Sequence, residues 1–380
     1  MYLTAAASHA SIYHMTFFQA IVLGLIQGFF ELFPLSSLGH TVLLPSWFGG
    51  NWALLVRQES LSESPYLAFI VGLHLANALA LFVFYLREWG RLIAGFFQSI
   101  GHRRIETDSQ RLAWLIVIAT IPVGIFGLLF EHTFRTLFAK PVAAAIFLTL
   151  NGLILFTGEW FRRRNLRKEA AGVPWPAGAP GPAGAPGPEA VPGPAGVPGP
   201  EGATTGPVPA AASGPSTNRE LAVVPARRQG GGIFKRFKEE RLVAMDDVTE
   251  RDLNSRLSPW SALWIGASQS LALFAGISRE GVTMVGGLYR GLSNEGALRF
   301  AFLLSAPVIF AAGALKVPDL LGHLGNGIRG QVIVGSLAAV VASFASIIFL
   351  SRYFKTRTLI PFAVYSVVFG LASVIRFGAF

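Results

Sequence analysis

The stretch "IQGFFELFPLSSLGH", residues 26–40, decides how this chain is read. It lies in one of the most apolar parts of the sequence, yet Gln27, Glu31, Ser36, Ser37 and His40 fall within fourteen positions. Gln27 and Glu31 are spaced i, i+4 and share one helical face. A carboxylate at bilayer depth costs at least about 2.5–3.5 kcal/mol on insertion scales, so Glu31 needs a partner, a proton or a metal. After Pro34 a helix restarts at Ser36–Ser37, residues suited to an N-cap. Such a helix start points backbone N–H groups and a positive dipole end into the break, an arrangement that holds anions. His40 follows Ser37 at i+3 on the same face and is a candidate acid–base or ligand.

The surroundings are those of a membrane protein. Of the 380 residues, 52% are hydrophobic and 14% charged, with a mean hydropathy of +0.52, too apolar for an ordinary soluble chain. Cysteine is absent, which excludes disulfides, zinc–thiolate sites and thiol catalysis. The net charge is +10, but 14 of the 31 basic residues lie between Arg162 and Arg256, in one hydrophilic insert. That pattern sets membrane orientation and does not call for nucleic acid. Residues 1–14 hold no Lys or Arg, so the first apolar segment lacks the basic start of a secretory signal.

Six apolar runs have the length of membrane-spanning helices: 66–86, 112–130, 142–160, 296–315, 331–350 and 359–375. Two more regions, 15–48 and 259–291, are apolar but broken by "FPLSSLGH" and "AGISREGVT". Irregular backbone at membrane depth must be shielded by protein or line a wet cavity, so both read as re-entrant helical hairpins. Shifted by 242 positions, the first region places Ala20, Gly24, Gln27, Ser36, Gly39 and Thr41 on Ala262, Gly266, Gln269, Ser278, Gly281 and Thr283. The expected fold is therefore an all-α polytopic membrane protein of two repeats, each a re-entrant hairpin followed by three transmembrane helices. Three crossings per repeat invert the second relative to the first and place a polar site where they meet. Residues 1–160 form the first repeat and 259–380 the second.

Residues 161–258 read as a linker. Glycine recurs every third residue from Gly178 to Gly202 apart from Ala190, a collagen-like tract expected to behave as a solvated, disordered polyproline-type segment. The later "IFKRFKEERLVAM" suits either the anionic inner leaflet or a solvated helix. Arg87, Arg91, Arg103, Arg104 and Arg111 in one loop, and Arg352, Lys355 and Arg357 in another, fall on the linker's side, the cytoplasm, with both termini outward.

The second break offers Ser278, Arg279 and Thr283 around Gly276 and Gly281. Glycine permits close backbone approach to a ligand, and the guanidinium fork suits phosphate. Carboxylate, hydroxyl and imidazole on one hairpin, with guanidinium and hydroxyls on the other, make a kit for phosphoryl transfer with a divalent cation. A purely structural cluster, with Glu31 paired to Arg279 and the serines capping helices, is the competing reading. His74, Asn77 and Asn151 read as interhelical hydrogen bonding and Glu159 as an interfacial residue.

At these residues a family resemblance emerges. "QGFFELFPLSSLGH" is similar to the bacterial undecaprenyl-diphosphatase motif, an acidic residue or Gln, three others, Glu, then Pro-x-Ser-Ser-x-Gly-His. "AGISREGVTM", with "IGASQSLALF" before it, resembles that family's second motif, Pro-Gly-x-Ser-Arg-Ser-Gly-x-Thr. The resemblance covers both repeats and omits the insert. It implies a multi-pass bacterial plasma-membrane hydrolase, active toward the outer face. Its lipid substrate is undecaprenyl diphosphate, converted to undecaprenyl phosphate and phosphate. That step recycles the carrier of peptidoglycan synthesis and links such enzymes to bacitracin resistance. It further implies a divalent cation, Mg2+ or Ca2+. Carried over residue by residue, Glu31, Ser37, His40 and Arg279 are catalytic, and Ser36, Ser278, Arg279 and Thr283 bind phosphate. Gln27 stands at the family's frequent first glutamate, Ala275 at its proline and Glu280 at its second serine. Glu31, Gln27 and Glu280 are the expected metal ligands. Ser37, His40 and a metal-activated water all remain candidates for the nucleophile. A polyprenyl-phosphate transporter or scramblase is the rival reading, because inverted repeats serve alternating access equally, and a non-catalytic paralogue is the third.

Overall fold

The computed structural model describes residues 15–59, 65–138, 140–171, 247–322 and 325–378. The collagen-like tract and the basic "IFKRFKEERLVAM" segment lie outside the described residues, as do residues 1–14.

The first repeat comprises α1 (Phe17–Leu32), α2 (Ser37–Phe48), α3 (Gly50–Glu59), α4 (Pro65–Phe84), α5 (Leu86–His102), α6 (Asp108–Phe138) and α7 (Pro141–Ala170). After α8 (Asp247–Arg256) the second follows: α9 (Pro259–Ser268) with a 3-10 turn over Gln269–Leu273, α10 (Arg279–Tyr289), α11 (Asn294–Leu315), the short α12 (Val317–Leu321), α13 (Arg329–Tyr353) and α14 (Ile360–Gly378). No strand occurs among the described residues. Five helices, α6, α7, α11, α13 and α14, are long and apolar enough to cross a membrane, and the pair α4–α5, bent by 84°, passes the same test only when its two helices are taken together. The protein is a multi-pass helical membrane protein. Large apolar side chains such as Ile121, Ile125 and Leu128 on α6 and Ile333, Leu337 and Val341 on α13 point outward, where lipid solvates them.

Three boundaries differ from expectation. The expected loop 87–111 begins with α5, an amphipathic helix whose Arg87 and Arg91 alternate with Leu92, Ile93 and Phe96 at helical spacing. Its first turn is held by a buried ion pair, with Arg299 Nη2 on α11 at 2.7 Å from Glu88 Oε1. The linker is shorter than 161–258. α7 continues to Ala170, its end carrying Glu159 bonded to Arg162 and Arg163, and Asp247–Arg256 is already helical.

The hairpins start and stop for local reasons. Thr16 and Gln19 form a capping box at the start of α1. Phe33, ahead of Pro34, is forced into extended backbone (φ −77°, ψ 149°), and α1 ends. α2 begins at once, capped by Ser36, whose side chain accepts from the Gly39 N–H at 3.3 Å. Ser258 caps α9 with Pro259 at its first position, and Ser278 caps α10 by accepting from the Gly281 N–H at 3.0 Å.

Each hairpin packs its first helix against the second spanning helix of the other repeat. α1 lies along α13 and α9 along α6, while α7 and α14 pack together. Matching glycines allow both approaches: a Cβ on Gly24 would overlap the Gly335 carbonyl oxygen, and one on Gly266 the Ala119 carbonyl oxygen. These two glycines are the pair related by the 242-residue shift.

Candidate active site

One face of α1 carries Phe17, Ile21, Leu25 and Phe29 outward, and the opposite face buries Leu23, Gln27 and Glu31. Glu31 is thereby turned into the protein. Its Oε2 accepts hydrogen bonds from the Ser37 hydroxyl and from Gln27 Nε2 at 2.9 Å. His74 Nδ1, from α4, lies 3.2 Å from the same oxygen and 3.1 Å from Gln27 Nε2. Across from them, Arg279 Nη1 stands 3.9 Å from Glu31 Oε1. Glu31, Ser37, Gln27 and Arg279 are thus brought together from opposite hairpins. His74 joins them through the interhelical bonding expected of it. Asn77 also follows that expectation, accepting from Ser343 Oγ on α13 at 2.9 Å.

The two breaks are joined directly. The Ser36 hydroxyl also accepts from the Gly276 N–H at 3.1 Å, and the Ser278 hydroxyl donates to the Phe33 carbonyl at 3.2 Å. A Cβ on Gly39 would come within 2.9 Å of Gly276 Cα, so the two chain segments touch at backbone level. Ser36 has φ +66°, a conformation costing on the order of 1–3 kcal/mol that these bonds hold in place. The hydroxyls of Ser36 and Ser278, expected at the phosphate, here cap their helices and bond across the hairpins.

His40 is fully buried and does not touch Glu31. Its Nδ1 is 2.7 Å from the Ser36 carbonyl, so that nitrogen carries the proton, and Nε2 accepts from the Tyr365 hydroxyl on α14 at 3.0 Å. Phe30 stacks on its ring at 3.7 Å and Phe369 at 5.6 Å. Through its Nδ1, His40 holds the Ser36 turn.

Several buried polar atoms in and around this region have no hydrogen-bond partner: Arg279 Nε and Nη1, Thr283 Oγ1, Gln27 Oε1 and Glu280 Oε1. Arg279 and Thr283 are spaced i, i+4 on α10 and present free donors, as an anion site requires. Glu280 is buried and interacts electrostatically with both Glu31 and Arg279. Among the described residues no three His, Asp or Glu side chains converge on one point that could hold a metal ion. Gln27 Oε1 and Glu280 Oε1 are left unpartnered, and both are oxygens of the hard type that Mg2+ or Ca2+ takes.

His74 carried a signal in the sequence, an ionisable side chain inside an apolar span. Tyr365 carried none, being one aromatic among many on a lipid-facing helix.

Fold and site together define a polytopic helical membrane protein whose polar centre is built where two broken hairpins meet. The family model described as bacitracin resistance protein BacA matches residues 20–177 and 221–372. The chain belongs to this family. It is similar to undecaprenyl-diphosphatase 2 of Frankia alni, 48% identical over 96% of this chain and 99% of that one. It is also similar to the undecaprenyl-diphosphatase of Mycolicibacterium paratuberculosis, 45% identical over 95% and 97%. A more distant relative is undecaprenyl-diphosphatase 2 of Chromobacterium violaceum, 32% identical over 95% and 99%.

Proposed function

We propose that this protein is an integral membrane phosphatase that hydrolyses undecaprenyl diphosphate to undecaprenyl phosphate and inorganic phosphate. The observation that carries the chemistry is the free donor set of Arg279 and Thr283 on one hairpin, set against the Glu31–Ser37 pair on the other. Arg279, Thr283 and the start of α10 hold the terminal phosphate. The Ser37 hydroxyl, its proton directed at Glu31, attacks the terminal phosphorus in line. The proton passes to Glu31, the bond to the bridging oxygen breaks, and undecaprenyl phosphate leaves. Water then hydrolyses the phosphoserine and releases phosphate. His74 orients Glu31, and Gln27 holds it from the same helix.

A divalent cation, Mg2+ or Ca2+, neutralises charge on the phosphate oxygens when bound. Glu31, Gln27 Oε1 and Glu280 are the residues that would hold it. The repeats are read as inverted, with the basic segments cytoplasmic and the site opening toward the outer face of the bacterial plasma membrane. No observation favours a transporter.

The test is phosphate release from undecaprenyl diphosphate by the purified full chain, with Mg2+, with Ca2+ and with chelator. Release that the chelator abolishes supports the reading. A folded, monodisperse protein that releases no phosphate under any of these conditions overturns it.

A further inference from the structure

Besides the direct bonds between them, both broken hairpins are tied to one side chain of a third element. Asn151 is the eleventh of the 30 residues of α7 and is fully buried. Its Nδ2 donates to the Pro34 carbonyl at 3.0 Å and to Ser366 Oγ on α14 at 3.3 Å. Its Oδ1 accepts from the Ser278 N–H at 2.9 Å. The first backbone group sits in the proline break, and the second at a helix cap, where its own helix supplies no partner. Asn151 therefore satisfies one backbone group in each break with the two ends of a single amide. Pro34 is three residues from both Glu31 and Ser37, and Ser278 directly precedes Arg279.

We propose that Asn151 is a positioning residue for the phosphatase site, setting the separation between the Glu31–Ser37 pair and the Arg279 clamp. It does not touch the reacting groups. It acts by fixing the spacing of the two backbones that carry them, and an error of about 1 Å in such a spacing costs about 100-fold in rate. A donor and an acceptor on one rigid planar group are both required. This inference rests on the function proposed above, and wild-type phosphate release in the same assay tests that function separately.

Two variants decide it. Asn151→Leu keeps the bulk but offers neither bond. Asn151→Asp offers both bonds only while its carboxyl is protonated, because an ionised carboxylate cannot donate to the Pro34 carbonyl. The ionisable groups adjoining its partners are Glu31 on α1, Arg279 and Glu280 on α10 and Tyr365 on α14. The wild type carries all of them, so the ratio of variant to wild type at each pH removes their contribution. Expected for Asn151→Leu is a kcat lower by about 100-fold with KM within about threefold of wild type. Expected for Asn151→Asp is a kcat ratio that climbs as pH falls, by up to about tenfold per pH unit. A merely structural asparagine would lower the yield of folded protein without moving the pH profile. A near-normal kcat for Asn151→Leu overturns the proposal. So does an Asn151→Asp ratio that stays flat with pH, including when the leucine variant does not fold.

Discussion

The two hairpins share a frame and differ in what they carry on it. Both begin with a capped helix, press a glycine (Gly24 or Gly266) against a carbonyl of the opposite repeat, and restart behind a serine cap (Ser36 or Ser278). At matching register the first hairpin has Glu31, Ser37 and His40 where the second has Leu273, Arg279 and Val282. Gln27 reaches Glu31, whereas its counterpart Gln269, opposite a leucine, is buried with neither side-chain polar atom bonded. The frame is shared by both halves, and the proposed chemistry divides between them: attack and proton transfer on one side, anion binding on the other.

That division can be broken one hairpin at a time. Ser37→Ala is expected to produce the largest loss, on the order of 10⁴-fold or more in kcat, because it deletes the attacking group. Phosphate release by the purified variant checks it. Arg279→Lys should follow at about 10²–10³-fold in kcat/KM, since an ammonium keeps the charge but loses the fork. A ranking reversed between these two would move the chemistry to the second hairpin.

The shared frame makes its own prediction. Gly24→Val and Gly266→Val should destabilise the protein to a similar degree, each by about 2–4 kcal/mol, because each forces a side chain into a carbonyl oxygen. Thermal unfolding in detergent reads this, and a large effect at one glycine alone would break the correspondence. Tyr365→Phe is the mildest change. It removes one hydroxyl from the His40 ring and should lower kcat about threefold to tenfold, a loss read from the same assay.

Much of this was legible in the sequence because membranes leave few choices. The spanning helices follow from length and hydropathy, and the breaks from proline, glycine and serine in apolar surroundings. The meeting of Glu31 with Ser37 and Arg279 followed from spacing and the internal repeat. What was not legible depends on which way a buried face turns. His40 sits i+3 from Ser37, yet α2 places it among Phe30, Tyr365 and Phe369, while His74 on a separate helix reaches Glu31. Spacing along one helix predicts a shared face, and only packing decides what that face meets. Ser36 and Ser278 likewise carried the signal of both caps and ligands, and the touching backbones claimed them as caps. The amphipathic α5 was hidden because its charges outweigh its apolar stripe in a window average.

The most direct test of divided chemistry follows the phosphorus atom. The full chain is mixed with undecaprenyl diphosphate labelled in its terminal phosphate, quenched within a single turnover, and the labelled residue located by mass spectrometry. Label is expected on Ser37 in the wild type, with a much slower rise in Arg279→Lys and none in Ser37→Ala. Label on any other residue, or wild-type phosphate release from Ser37→Ala, would contradict that division.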